Sequence, residues 1–84
     1  MIRWDPGKSE RLKCARGVSF EELIQAEFVG MLRHAKKPNQ ELLLFRHLGY
    51  IWVVPCVMRG GEIFLKTLFP SRKYTKMHAK GELP

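Results

Sequence analysis

The sequence predicts an α+β domain of two layers, with N-terminal helices packed on a mainly antiparallel β-sheet and a short basic helix at the C-terminus. Three observations carry this. Two helix starts with recognisable capping residues fall within the first 22 residues. Apolar, β-rich runs separated by glycine turns occupy residues 42–69. A cation-rich segment then opens at a serine that follows Pro70. The 84 residues suffice for a single domain spanning 1–84, with a thin core.

Taken in order, Met1 to Trp4 reads as a short strand. Asp5-Pro6 starts a helix, because the Asp5 carboxylate accepts from the free N–H groups of the first turn and Pro6 loses no bond there. This helix runs to Ala15 and stops at Gly17, which suits a left-handed C-terminal residue. Ser19 and Glu22 form a capping box, with Val18 and Leu23 as its hydrophobic staple. Phe20, Leu23, Ile24 and Phe28 recur at helical spacing and predict a second helix that continues to Gly30, with a short strand over Met31 to His34.

Lys36-Lys37-Pro38-Asn39 reads as a loop. Leu42 to His47 and Tyr50 to Met58 read as strands around the Gly49 turn, and Arg59-Gly60-Gly61-Glu62 as a hairpin turn. Tyr50 to Met58 is apolar on both faces, as a covered central strand requires, while Pro55 favours an edge or bulge. Ile63 to Phe69 is the next strand, with Lys66 on the face opposite Ile63, Leu65 and Phe69; Pro70 ends it. Ser71 caps the closing basic helix, Arg72 to Lys80.

Fifteen Lys and Arg against eight Asp and Glu give a net charge of +7, which attracts polyanions. The charge is uneven. Met1 to Arg16 holds five bases and two acids, Gly17 to Ala35 holds three Glu and one Arg, and Lys66 to Lys80 holds five bases and no acid. If the first and last of these segments meet in space, they form one basic groove for an RNA phosphate backbone. Tyr74 lies among the cations and offers a ring for base stacking.

Cys14 and Cys56 fit no CxxC pattern and predict reduced thiols in the cytoplasm. The longest apolar stretch is about half of a membrane-spanning helix, so no membrane partner is expected. His34, His47, His78 and the two cysteines show no metal-ligand spacing, and no cofactor or metal is expected. His34 and His47 read as structural or surface residues, Ser19 and Ser71 as caps, and Gly60-Gly61 as a turn.

Trp4-Asp5-Pro6, Leu12-Lys13 and Gly17-Val18-Ser19-Phe20-Glu21-Glu22 together resemble the N-terminal signature of BrnT-like toxins. These are ribonucleases of bacterial type II toxin–antitoxin systems with a RelE-like fold. Phe64-Leu65-Lys66-Thr67-Leu68-Phe69-Pro70-Ser71-Arg72-Lys73 sits where that family has its last strand and basic segment. The resemblance runs in order through most of the chain, closest over residues 4–22 and looser over 42–80. It implies a single RelE/BrnT-like toxin domain that cleaves RNA without metal and thereby inhibits translation. The substrate would be mRNA, on or off the ribosome. It also implies a cognate antitoxin, commonly with a DNA-binding part.

Metal-free cleavage needs a base for the 2′-hydroxyl, cations for the phosphorane charge and an acid for the 5′ oxygen. Under the resemblance, Arg72 is the foremost charge stabiliser, since its guanidinium fork matches two phosphate oxygens. Lys66 and Lys73 are its electrostatic partners, and a Lys crowded by cations can also serve as base. His78 is the conventional acid–base candidate near the tail, with Tyr74 next. Lys13 and Arg16 approach from the first helix, and Lys76 and Lys80 extend the RNA-binding set. The family's K-K-H is Cys14-Ala15-Arg16 here. Arg does not give up its proton, so another residue does the proton work, or Arg16 only binds phosphate, or the nuclease is weak. The alternatives are a non-catalytic RNA- or ribosome-binding module and a protein-interaction domain for an acidic partner.

Overall fold

The computed structural model describes residues 1–83 as an α+β domain with a mixed sheet. The order is β1 (Ile2–Arg3), α1 (Pro6–Arg16), α2 (Phe20–Leu23), β2 (Glu27–Arg33), β3 (Gln40–His47), β4 (Tyr50–Arg59), β5 (Glu62–Leu65), β6 (Phe69–Ser71) and α3 (Arg72–Ala79). The expected caps form. The Asp5 carboxylate accepts from the Gly7 N–H, and Gly17 closes α1 at φ 80°. Ser19 and Glu22 complete the reciprocal capping box. The Ser71 hydroxyl accepts from the Tyr74 N–H at the start of α3.

β4 is the central strand. β3 pairs antiparallel along one side of it, from Gln40 opposite Val57 to His47 opposite Tyr50. Two strands share its other side: β5 covers Cys56 to Arg59, and β6 covers Ile51 to Val53. Pro55 falls in the gap between them. Its carbonyl accepts from the Lys66 N–H at 2.8 Å, and a strand residue's N–H and C=O point the same way. The donor that proline lacks therefore faces the gap, which explains a proline inside a central strand. β2 flanks β3, and β1 pairs parallel with β5.

Strand alternation divides the core between the two sheet faces. On the first face, Leu12, Val18, Phe20 and Leu23 of the N-terminal helices and their connection pack on Leu43, Phe45, Trp52, Val54, Cys56 and Leu65. On the second, Leu44, Ile51 and Val53 lie under Tyr74, Phe69 and Leu83. The two N-terminal helices thus cover one face, and α3 covers part of the other.

Three local expectations are corrected. The second helix does not reach Gly30: α2 ends at Leu23, and residues 27–33 form β2. Pairing with β3 outweighs the helical spacing, and Ile24 and Phe28 are exposed rather than buried. The last strand does not run unbroken to Phe69. It breaks after Leu65, so Lys66 lies just beyond β5, and Phe69 packs on the face opposite Ile63 and Leu65. Pro70 does not end a strand but sits within β6, opposite Trp52.

Candidate nucleic-acid interface

The closing third of the chain lies along one side of β4 and positions most of the cations singled out above. Lys66 stands where β5 has just ended and is held to Pro55 through its backbone. Ser71 pairs with Ile51, four positions back along β4. The backbone travels roughly 13 Å between these points at ~3.3 Å per strand residue. Arg72 follows at once as the first residue of α3.

The start of α3 is fixed to the sheet. The Thr75 hydroxyl donates to the Ser71 carbonyl at 2.6 Å and accepts from the Ile51 N–H at 2.9 Å. Tyr74 packs on Leu44, Ile51 and Val53, so its ring serves the core, and the Lys73 Nζ lies 5.5 Å from the ring centroid. His78, one helical turn after Tyr74, is half-buried. Lys73, Lys76 and Lys80 are exposed and recur three and four residues apart, which lines them up along one side of the helix.

Arg16 reaches the same segment from α1, and its guanidinium donates to the Leu68 carbonyl. Arg16 thus meets the segment between Lys66 and Arg72 from the helix layer on the first face, whereas the Lys66 ammonium lies near the Phe64 ring and Arg72 opens the helix on the second face. The three do not close around a single point. Lys13 is engaged elsewhere. Its ammonium binds the Glu22 carboxylate at 2.8 Å and the Gly17 carbonyl at 3.2 Å, joining the two N-terminal helices. The Lys13 ammonium and the Ser19 backbone N–H pull the Glu22 pKa down from 4.5 to about 2. Glu21 is also lowered, chiefly by the Ser9 hydroxyl.

Among the described residues, carboxylates pair only with Arg3, Lys13 and Arg46. Lys66, Arg72, Lys73, Lys76 and Lys80 form no ion pair with a carboxylate among the described residues. No three His, Cys, Asp or Glu side chains among the described residues cluster as a metal site requires. No helix among them is long and apolar enough to cross a membrane. His34 serves its own loop, with Nδ1 accepting from the Lys36 and Lys37 N–H groups.

Sequence reasoning does not single out Arg3, Arg59 or Phe64. The structure places them with Lys66, Val57 and Glu62 around a depression of about 590 Å³. It lies on the sheet face that carries α3, at the end away from β6, because Arg3, Phe64 and Val57 stand in one row across β1, β5 and β4. Strand alternation holds the signal for Phe64, since Ile63 and Leu65 point into the first core and their neighbour must point out. Comparison with known proteins finds no matching family model, curated protein or solved structure.

Proposed function

We propose that this protein acts on RNA as the ribonuclease toxin of a type II toxin–antitoxin pair, with a RelE/BrnT-like domain. The observation that carries the reading is the run of unpaired cations from Lys66 to Lys80, laid along β4 and the outer side of α3. None of them forms an ion pair with a carboxylate among the described residues. Such a line suits successive phosphates of one strand, and each contact releases counterions. The ordered resemblance of Trp4-Asp5-Pro6, Gly17-Val18-Ser19-Phe20-Glu21-Glu22 and the Phe64 to Lys73 run to BrnT-like toxins supports the same reading.

In this mechanism Arg72 stabilises the charge that builds on the phosphorane, Lys73 adds to the field, and Lys66 holds a neighbouring phosphate of the same strand. His78, the nearest histidine to them in sequence, supplies the proton-transfer group. A cognate antitoxin with a DNA-binding part is the expected protein partner.

A second reading, an RNA- or ribosome-binding module without catalysis, is favoured by one observation. Arg16 stands where the resembled family has His, and its guanidinium is spent on the Leu68 carbonyl. A growth assay separates the two. Induced wild type halts growth under the toxin reading, Arg72→Ala does not, and purified protein cuts RNA in the presence of EDTA. Harmless expression with intact RNA, but with retained salt-sensitive affinity, selects the binding module. Absence of any RNA affinity rejects both.

A further inference from the structure

We propose that the exposed ring of Phe64 is a stacking platform for an unpaired base, and that the depression around it selects single-stranded over double-stranded RNA. The proposal rests on the reading that this protein binds RNA, and it adds the class of RNA and a residue that the cation line does not include.

Phe64 is 43% exposed although it sits in a strand at the middle of the row Arg3–Phe64–Val57. Its neighbours Ile63 and Leu65 turn into the first core, so the pleat of β5 holds the ring on the opposite face. α3 does not cover it. The second core cluster ends at Leu42, Leu44, Ile51, Val53 and Phe69, toward the other end of β4. The result is a rigid aromatic surface on an open sheet face, a setting in which bases splayed from a single strand stack on aromatic side chains.

The charge around the ring fits a nucleic acid. Arg3, Arg59 and Lys66 border the depression, with Glu62 as its one carboxylate. Glu62 is already bound to Arg3 at 2.7 Å, which leaves Arg59 and Lys66 without an acidic partner among the described residues. The Lys66 Nζ lies 5.9 Å from the centroid of the Phe64 ring. A lysine there lies within reach of the phosphate attached to a base stacked on the ring. Exposed ammonium–ring contacts are weak beside base–aromatic stacking, so the base displaces the ammonium onto the phosphate. Lys66 is also the first cation of the line that continues to Arg72 and α3. The stacking site and the phosphate track are therefore contiguous. A duplex keeps its bases paired and offers the ring nothing to stack on.

The test titrates wild type, Phe64→Ala, Phe64→Tyr and Arg72→Ala with a labelled 12-nucleotide single-stranded RNA and with the same sequence as a blunt duplex, at several salt concentrations. The expected result is tighter binding of the single strand by wild type. Phe64→Ala should lose roughly tenfold in single-strand affinity. Its duplex affinity and salt dependence should not change, and Phe64→Tyr should restore the loss. Equal single-strand affinity of Phe64→Ala and wild type overturns the stacking proposal, as does a loss that is the same for duplex and single strand. In either case, salt-dependent binding weakened by Arg72→Ala would leave the RNA reading standing. If wild type binds neither RNA, the RNA reading itself falls, and the stacking proposal with it.

Discussion

The guanidinium of Arg16, at the end of α1, donates to the backbone carbonyl of Leu68, 52 residues later in the chain. This contact ties the first helix to the connection between β5 and β6, on which Lys66 and Arg72 depend for their positions. Leu68 itself is fully buried in the core under α1 and α2, so the carbonyl is held firmly.

Arg16→Ala should therefore loosen residues 66–70 specifically. A hydrogen bond of this kind contributes about 1 kcal/mol, and urea unfolding should register a loss of that order. Amide exchange should quicken at Thr67 and Phe69 more than in β3. Unchanged exchange in that segment would show that Arg16 does not position it.

The capping box of α2 makes two checkable claims. Ser19→Ala should cost about 1 kcal/mol, because the Glu22 N–H loses its acceptor. Glu22 has a folded pKa lowered to about 2, so it stabilises the fold above its ordinary value of 4.5, and that contribution is lost as pH falls toward 2. Melting temperatures between pH 5 and pH 2 should fall less steeply for Glu22→Gln than for wild type. Parallel curves would mean that the Lys13–Glu22 contact does not persist in solution.

Leu48 is the one residue other than glycine among those described with positive φ, at 54°, and it is 86% exposed. With Gly49 at φ 76° it forms the two-residue turn between His47 and Tyr50, a position that favours Asn followed by Gly. A leucine there gains no burial to offset its strained backbone. Leu48→Asn is expected to stabilise the protein by about 0.5–1 kcal/mol, read as a raised melting temperature. A lowered one would show that the leucine side chain has a role in solution.

The two cysteines should differ sharply toward a thiol reagent. Cys14 is exposed on α1. Cys56 is fully buried in β4, and burial, with the Glu41 charge beside it, raises its pKa. One equivalent should react quickly in native protein and the second only on unfolding. Two fast equivalents would indicate that the sheet opens around β4.

On α3, Lys73→Ala, Lys76→Ala and Lys80→Ala should each weaken RNA binding about equally for all sequences and reduce the logarithmic salt slope by about 1. The slope comes from titrations at graded salt. A slope unaffected by all three substitutions would remove α3 from the phosphate track.

Much of the fold is legible along the chain because its signals are local. Asp5, Ser19 with Glu22, and Ser71 each satisfy backbone donors two or three residues away, and all three caps form where the residue types require. Gly60 and Gly61 mark their hairpin in the same way. The apolar run from Tyr50 to Met58 identifies the central strand, since both of its faces meet core residues.

Phe28 shows where local reading stops. Phe28 follows Ile24 by four residues, a spacing that suits a helix, yet it lies in β2, which begins at Glu27. Only pairing with β3 distinguishes the two, and β3 lies beyond a loop. The candidate interface depends on distance still more. The cations of residues 66–80 and their lack of acids are plain from composition. Their arrangement along β4 arises from pairings 11 and 20 residues apart, and the docking of Arg16 at Leu68 and the row that sets Arg3 beside Phe64 from pairings across 50 or more. Chemistry confined to one turn of backbone is written in neighbouring residues. The meeting of remote segments is settled by the one packing that buries both core clusters, and here that packing, not residue spacing, selects which cations share a surface.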